Sequence, residues 1–100
     1  MQRSKRQQLT IVAEKAIENL LVNDLKRLGA RGHTRWYVAG EGTHGSRQDD
    51  WEQSRNVCIQ VICDPAIGEA VLEHLYRKYY QNYAIIATVT EVEVLRAEKF

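Results

Sequence analysis

The chain has 100 residues, 44% of them hydrophobic and 27% charged, enough for one globular domain with a single modest core and too apolar for a disordered segment. Fourteen basic and 13 acidic residues leave a net charge of +1, which supplies no general field for drawing in nucleic acid or an anionic membrane. No apolar run approaches the roughly 18–20 residues of a bilayer span, and no leader-like segment follows the basic start, so a cytoplasmic location is expected.

Residues 1–8 (MQRSKRQQ) are polar and basic and read as a solvated tail. Residues 9–14 (LTIVAE) are apolar and partly β-branched, a first strand. From Lys15 the period becomes helical. Ile17, Leu20, Leu21, Leu25 and Leu28 share one face, Glu18, Asn19, Lys26 and Arg27 lie outside it, and Gly29 and Gly32 supply the stop. Residues 33–39 (HTRWYVA) form a second strand. Residues 56–63 (NVCIQVIC) form a third, with Val57, Ile59, Val61 and Cys63 on one face and Cys58, Gln60 and Ile62 on the other. Asp64 and Pro65 open a second helix as N-cap and first turn. Its buried stripe is Ile67, Ala70, Val71 and Leu75, extended by Tyr79. Residues 83–95 make a fourth strand that continues, or bends, into a short fifth.

The order β-α-β-β-α-β in one domain, residues 1–100, predicts an α+β ferredoxin-like fold: a four-stranded antiparallel sheet with two helices on one face. The other face, expected to hold Tyr37, Val57 or Cys58, Ile62 and alternate residues of 84–94, then needs a cover. A second copy of the chain is the simplest one. Cys58 and Cys63 are an odd number of positions apart in one strand, so they point to opposite faces and do not pair. His33, His44 and His74 show no ligand spacing, so no metal or cofactor is expected.

Between the second and third strands lies a loop of about fifteen residues, 40–55, long by the usual range of such connections. It begins GEGTHGSRQDD. Gly40 and Gly42 leave the backbone open to close approach. Gly45, Ser46 and Arg47 offer amides, a hydroxyl and a forked cation, a set that suits phosphate or another small oxyanion. The same residues equally fit a solvated surface loop. Trp51 fits either packing onto the body or anchoring a partner.

Topology of this kind serves many functions. An RNA-recognition module needs stacking aromatics on its central strands, and the third strand has none. An acylphosphatase needs a phosphate-cradling loop after its first strand, where AEKAIENL stands instead.

GARGHTRWYVAGEG (29–42), a long polar loop and then NVCIQVICDP together resemble the PII signalling proteins. The spacing from Gly32-His33-Thr34 to Gly40-Glu41-Gly42 is similar to the run from their second strand into the base of the T-loop. The resemblance covers residues 9–96. It is nearest to the PII-like branch tied to inorganic carbon, the bicarbonate-transporter regulator and the carboxysome-associated proteins. It implies a homotrimer, not an enzyme, with adenine nucleotide in clefts between subunits. Val12, Thr34, Gly40 and Ile62 would line the base, Gly42, Ser46 and Arg47 would approach the phosphates, and Arg96 is the basic residue retained near the end of the chain. Gly42, Ser46 and Arg47 are also the residues expected to hold bicarbonate.

The departures refine that expectation. The nitrogen-regulating members carry a glycine- and lysine-bearing loop between the second helix and fourth strand, whereas YRKYYQNYAII is short and glycine-free. AMP or ADP is therefore expected over ATP with magnesium. The implied function is a sensor in which ligand orders the T-loop, 40–55, and so acts on a target such as a bicarbonate transporter or carboxysome component, at most peripherally to a membrane. The alternative is a trimeric metal-tolerance-type metal binder of the same fold.

Overall fold

A computed structural model describes residues 1–39 and 55–100. Strand β1 (Ser4–Glu14) is followed by a 3-10 turn (Lys15–Ile17) and helix α1 (Glu18–Arg27). Strands β2 (Thr34–Val38) and β3 (Asn56–Cys63), helix α2 (Pro65–Lys78), strand β4 (Ile85–Val94) and a final 3-10 turn (Ala97–Lys99) complete the chain. The sheet order is β2-β3-β1-β4 with every neighbouring pair antiparallel, the ferredoxin-like arrangement.

The two-residue period of β3 divides it as its sequence predicts. Val57, Ile59, Val61 and Cys63 join Leu9, Ile11 and Ala13 of β1 beneath the helices. Leu21, Val22 and Leu25 of α1, Val71 and Leu75 of α2, and Tyr79 beyond it close the other side of this core. Asp64 accepts a hydrogen bond from the Ala66 amide at 2.9 Å and Pro65 occupies the first turn, so α2 begins where expected. The end of α1 is a Schellman turn. Gly29 takes φ +102°, its amide donates to Lys26 O and that of Ala30 to Leu25 O. Gly68 permits the close approach of α2 to β1, since a Cβ there would stand 2.1 Å from Gln7 Oε1.

Several expectations change. Strand β1 begins at Ser4 rather than at residue 9, because the polar start pairs with the equally polar end of β4: Lys5 stands opposite Glu93 and Gln7 opposite Glu91. The region 83–95 makes one strand, with no bend into a fifth. Leu20 is 50% exposed and Ala70 is exposed, whereas Glu18, expected outside, is buried. Cys58 and Cys63 are both buried and free, on opposite faces of β3.

Asp24 ties the helices together. Its carboxylate is buried and receives Tyr79 Oη, His74 Nε2 at 2.9 Å and Lys78 Nζ at 3.1 Å from α2 and its C-terminal end, with Arg27 Nη1 at 3.1 Å on its own helix. Burial by itself pushes this carboxyl up. The hydrogen bonds from Tyr79, His74 and Lys78 outweigh it and hold the group at about 2, below its usual 3.8. Burial and the bond to Asp24 push the Tyr79 phenol well above its ordinary value.

Replacing Asp24 by Ala is expected to lower stability by about 2–4 kcal/mol, since it strands a buried hydroxyl and removes the link between helices. Because the folded carboxyl is the stronger acid, its contribution is complete above about pH 4 and is lost as pH falls toward about 2. Urea titrations of wild type and Asp24→Ala check both points: the gap between them should be full at pH 7 and close below pH 4.

Candidate functional site

With both helices on one side, the opposite face of the sheet has no helix to cover it. Cross-strand partners share a face, so the register places its residues. One rung holds Trp36, Cys58, Val12 and Ile86. The next same-face rung holds Thr34, Gln60, Thr10 and Thr88, and the one after it Ile62, Gln8 and Thr90. Val12, Thr34 and Ile62 therefore stand on three successive same-face rungs of one surface. Val12 and Ile62 are half-buried and Thr34 is exposed.

Arg96 does not join them. It follows β4, whose Val94 lies opposite Ser4, well beyond the Gln8–Ile62 rung. Gly40, Gly42, Ser46, Arg47 and Trp51 lie outside the described residues.

Tyr37, expected on the open face, is on the helix side. It pairs with Val57, a core residue, so its ring points toward α1. There Glu18 Oε2 accepts from both Tyr37 Oη and Arg35 Nη1, each at 2.8 Å, while Lys15 Nζ stands 5.3 Å from the centre of the Tyr37 ring. The bond to Glu18, then burial, raises the Tyr37 phenol above its ordinary value. This carboxylate fixes the edge strand β2 on α1 and so sets the angle at which β2 presents Thr34 and Trp36 on the other side. Glu14, buried at the end of β1, accepts from the Ala84 amide at 2.8 Å, and the Lys15 amide donates to Arg55 O at 3.2 Å. The second of these contacts ties Arg55, the residue that follows 40–54, to the start of the 3-10 turn.

Trp36 joins this face although no sequence motif singles it out. It is 40% exposed, opposite Cys58 and one same-face step from Thr34. Strict alternation through TRWYV, anchored on Thr34, was the available signal. The surface so assembled combines apolar side chains (Val12, Trp36, Ile62, Ile86) with hydroxyl and amide groups (Thr10, Thr34, Gln60). That chemistry suits the flat face of a heteroaromatic ring and its edge polar atoms.

The protein-family profile described as Nitrogen regulatory protein P-II matches residues 6–99. Among solved structures, a PII-like signaling protein from Thermus thermophilus is 38% identical with a TM-score of 0.86, over 100% of this chain and 99% of that one. CPII from Thiomonas intermedia is similar in fold. Its complex with ADP, AMP and acetate is 22% identical, TM-score 0.86, over 100% of this chain and 98% of that one. Its complex with ADP and bicarbonate is 21% identical, TM-score 0.87, over 99% and 97%. No curated protein sequence matches. The extent of the profile match, with the likeness to the Thermus protein over the whole of both chains, establishes that this chain belongs to the P-II family of nitrogen regulatory proteins.

Proposed function

We propose that this protein is a non-enzymatic, homotrimeric sensor of adenine nucleotide, AMP or ADP, that also responds to bicarbonate. The observation that carries the reading is the helix-free sheet face, with Val12, Thr34 and Ile62 on successive same-face rungs. In a trimer such faces turn toward one another, and a nucleotide base bound at the seam meets apolar walls from β1 and β3. Support comes from CPII, a protein of the same fold bound to ADP and to bicarbonate.

Phosphates would extend toward the loop end of β2, where Gly40, Gly42, Ser46 and Arg47 follow Val38 in sequence. The ligand's contacts with residues 42–55 then set the surface offered to a target, a disorder-to-order response in which a ligand acts only through differential contacts with two states. A bicarbonate transporter or carboxysome component is the target class, and the cytoplasm the location. No helix among the described residues is long and apolar enough to cross a membrane. The rival reading, a metal binder, needs converging His, Cys or carboxylate ligands; among the described residues no three such side chains gather as a metal site.

The α2–β4 connection bears on nucleotide choice. It is a tight turn in which the amides of Asn82 and Tyr83 both donate to Tyr79 O, at 3.1 and 3.0 Å. Such a turn carries no glycine or lysine to wrap a third phosphate.

Sedimentation equilibrium at micromolar concentration should give a trimer, and a stable monomer would remove the proposed clefts. Ile62→Asp should weaken ADP binding at least about tenfold, because it sets a charge against the base. In calorimetry AMP or ADP should bind at least as tightly as ATP, with little effect of magnesium; tight, magnesium-dependent ATP binding would contradict this. Bicarbonate should increase ADP affinity in the wild type, through the forked guanidinium of Arg47, and Arg47→Ala should remove the increase while base binding persists. No change of ADP affinity with bicarbonate would end the carbon-sensing part of the proposal.

A further inference from the structure

The end of α2 builds a second surface, on the helix side of the sheet and away from the open face. Residues 74–83 (HLYRKYYQNY) hold four tyrosines, Arg77 and Lys78, and no carboxylate. Of the four rings only that of Tyr79 enters the core. Tyr76 is 72% exposed and Tyr80 41%, with ring centres 6.0 Å apart, so two large aromatic side chains share one patch in water. Burial in the core accounts for Tyr79 and leaves this pair unexplained. The patch stands on a fixed frame. Leu75 O accepts from the amides of Tyr79 at 2.9 Å and Tyr80 at 3.1 Å, and the Tyr83 ring lies 5.9 Å from that of Tyr79. Rings held in this way lose little freedom when a partner arrives.

The charge beside the patch is one-sided for a structural reason. Asp24 of α1 is buried, and Lys78 Nζ and Arg27 Nη1 each reach it at 3.1 Å while both side chains stay partly in water. One buried carboxylate thus faces two surface cations. Arg77 adds a third, whose Nε stands 3.7 Å from an exposed Glu73 carboxylate, a pairing that water largely screens. At about 100° per residue, Arg77 falls between the Tyr76–Tyr80 side of α2 and the Lys78 side that meets α1. Two tyrosines, an arginine and two further cations therefore run across the outer side of the helix end. Tyr and Arg are the residue types that anchor protein interfaces, and the excess charge is positive.

We propose that the outer side of the last two turns of α2, built from Tyr76, Arg77 and Tyr80 with Lys78 and Arg27 beside them, docks an acidic segment of a target protein. An aromatic or aliphatic side chain of that segment lies on the Tyr76–Tyr80 pair. Its carboxylates meet the three cations and accept from the phenol hydroxyls. Charge complementarity selects the partner. A membrane surface or a nucleic acid strand is held by many cations acting together, and three are too few, whereas a short acidic segment needs no more. Because the surface lies on the helix side, docking there does not depend on a ligand at the open face.

Peptide selection followed by fluorescence anisotropy tests this. Short random peptides displayed on phage are selected on the full wild-type protein, and the enriched ones are synthesised with a fluorescein label as probes. They should combine Asp or Glu with Trp, Phe or Leu. They should bind Tyr76→Ser and Arg77→Glu at least about tenfold more weakly than the wild type, and more weakly to all as salt rises. Saturating ADP should leave their affinity unchanged. Both substitutions fall at exposed positions, so urea midpoints and sedimentation should match the wild type. Enriched peptides without an acidic excess, equal binding by wild type and both variants, or no peptide that depends on Tyr76 and Arg77 overturns the proposal. Dissociation of the assembled protein by Tyr76→Ser would assign the patch to contacts between copies and overturn it too. So would binding of phosphatidylserine–phosphatidylcholine vesicles, or of polyuridylate RNA, through the same residues in place of the peptides.

Discussion

A four-stranded sheet that receives both of its helices on one side must leave the other side to something else. That asymmetry governs this molecule. The buried side supplies stability: Leu9, Ile11, Ile59, Val61, Leu21, Val71 and Leu75 form one continuous core, and Asp24 joins α1 to Tyr79, His74 and Lys78 across it. The other side carries a mixture that is too apolar for a solvated face and too polar for a core. Val12, Trp36, Ile62 and Ile86 alternate by rung with Thr10, Thr34 and Gln60. A surface of this composition suits both association with further copies and a bound ring at the seam.

The buried carboxylates show how the two sides are coupled. Glu18 sits on the helix side, yet its bonds to Arg35 and Tyr37 fix β2, whose alternate residues Thr34 and Trp36 belong to the open face. The C-terminal segment is coupled in another way. Arg6 of β1 and Arg31 of the loop ahead of β2 donate to the carbonyls of Ala97 and Glu98, so the final turn is held from two places distant in the sequence.

Much of this was legible in the sequence, and for identifiable reasons. The alternation of NVCIQVIC depends only on backbone period, so the two faces of β3 could be read directly. The Asp64-Pro65 start of α2 is local chemistry. That Val12, Thr34 and Ile62 share a face follows from side-chain alternation once the register of the three strands is known. What escaped depends on tertiary partners. SKRQQ has no strand signal of its own and becomes β1 through pairing with the end of β4, where Lys5 meets Glu93. Tyr37, expected on the open face, is on the helix side because the register sets it against Val57. Glu18 reads as a surface residue of a helix until Arg35 and Tyr37, more than fifteen positions away, come to meet it. The fastening of residues 97–98 joins positions more than sixty apart, which no local pattern reveals.

In the function proposed above, nucleotide meets the protein on the helix-free face of the sheet. A crystal structure of the wild-type protein grown with ADP tests it most directly. The adenine ring is expected between subunits, in contact with Val12, Thr34 and Ile62. Adenine bound on the helix side, or open faces packed together with the ring elsewhere on the surface, would contradict it.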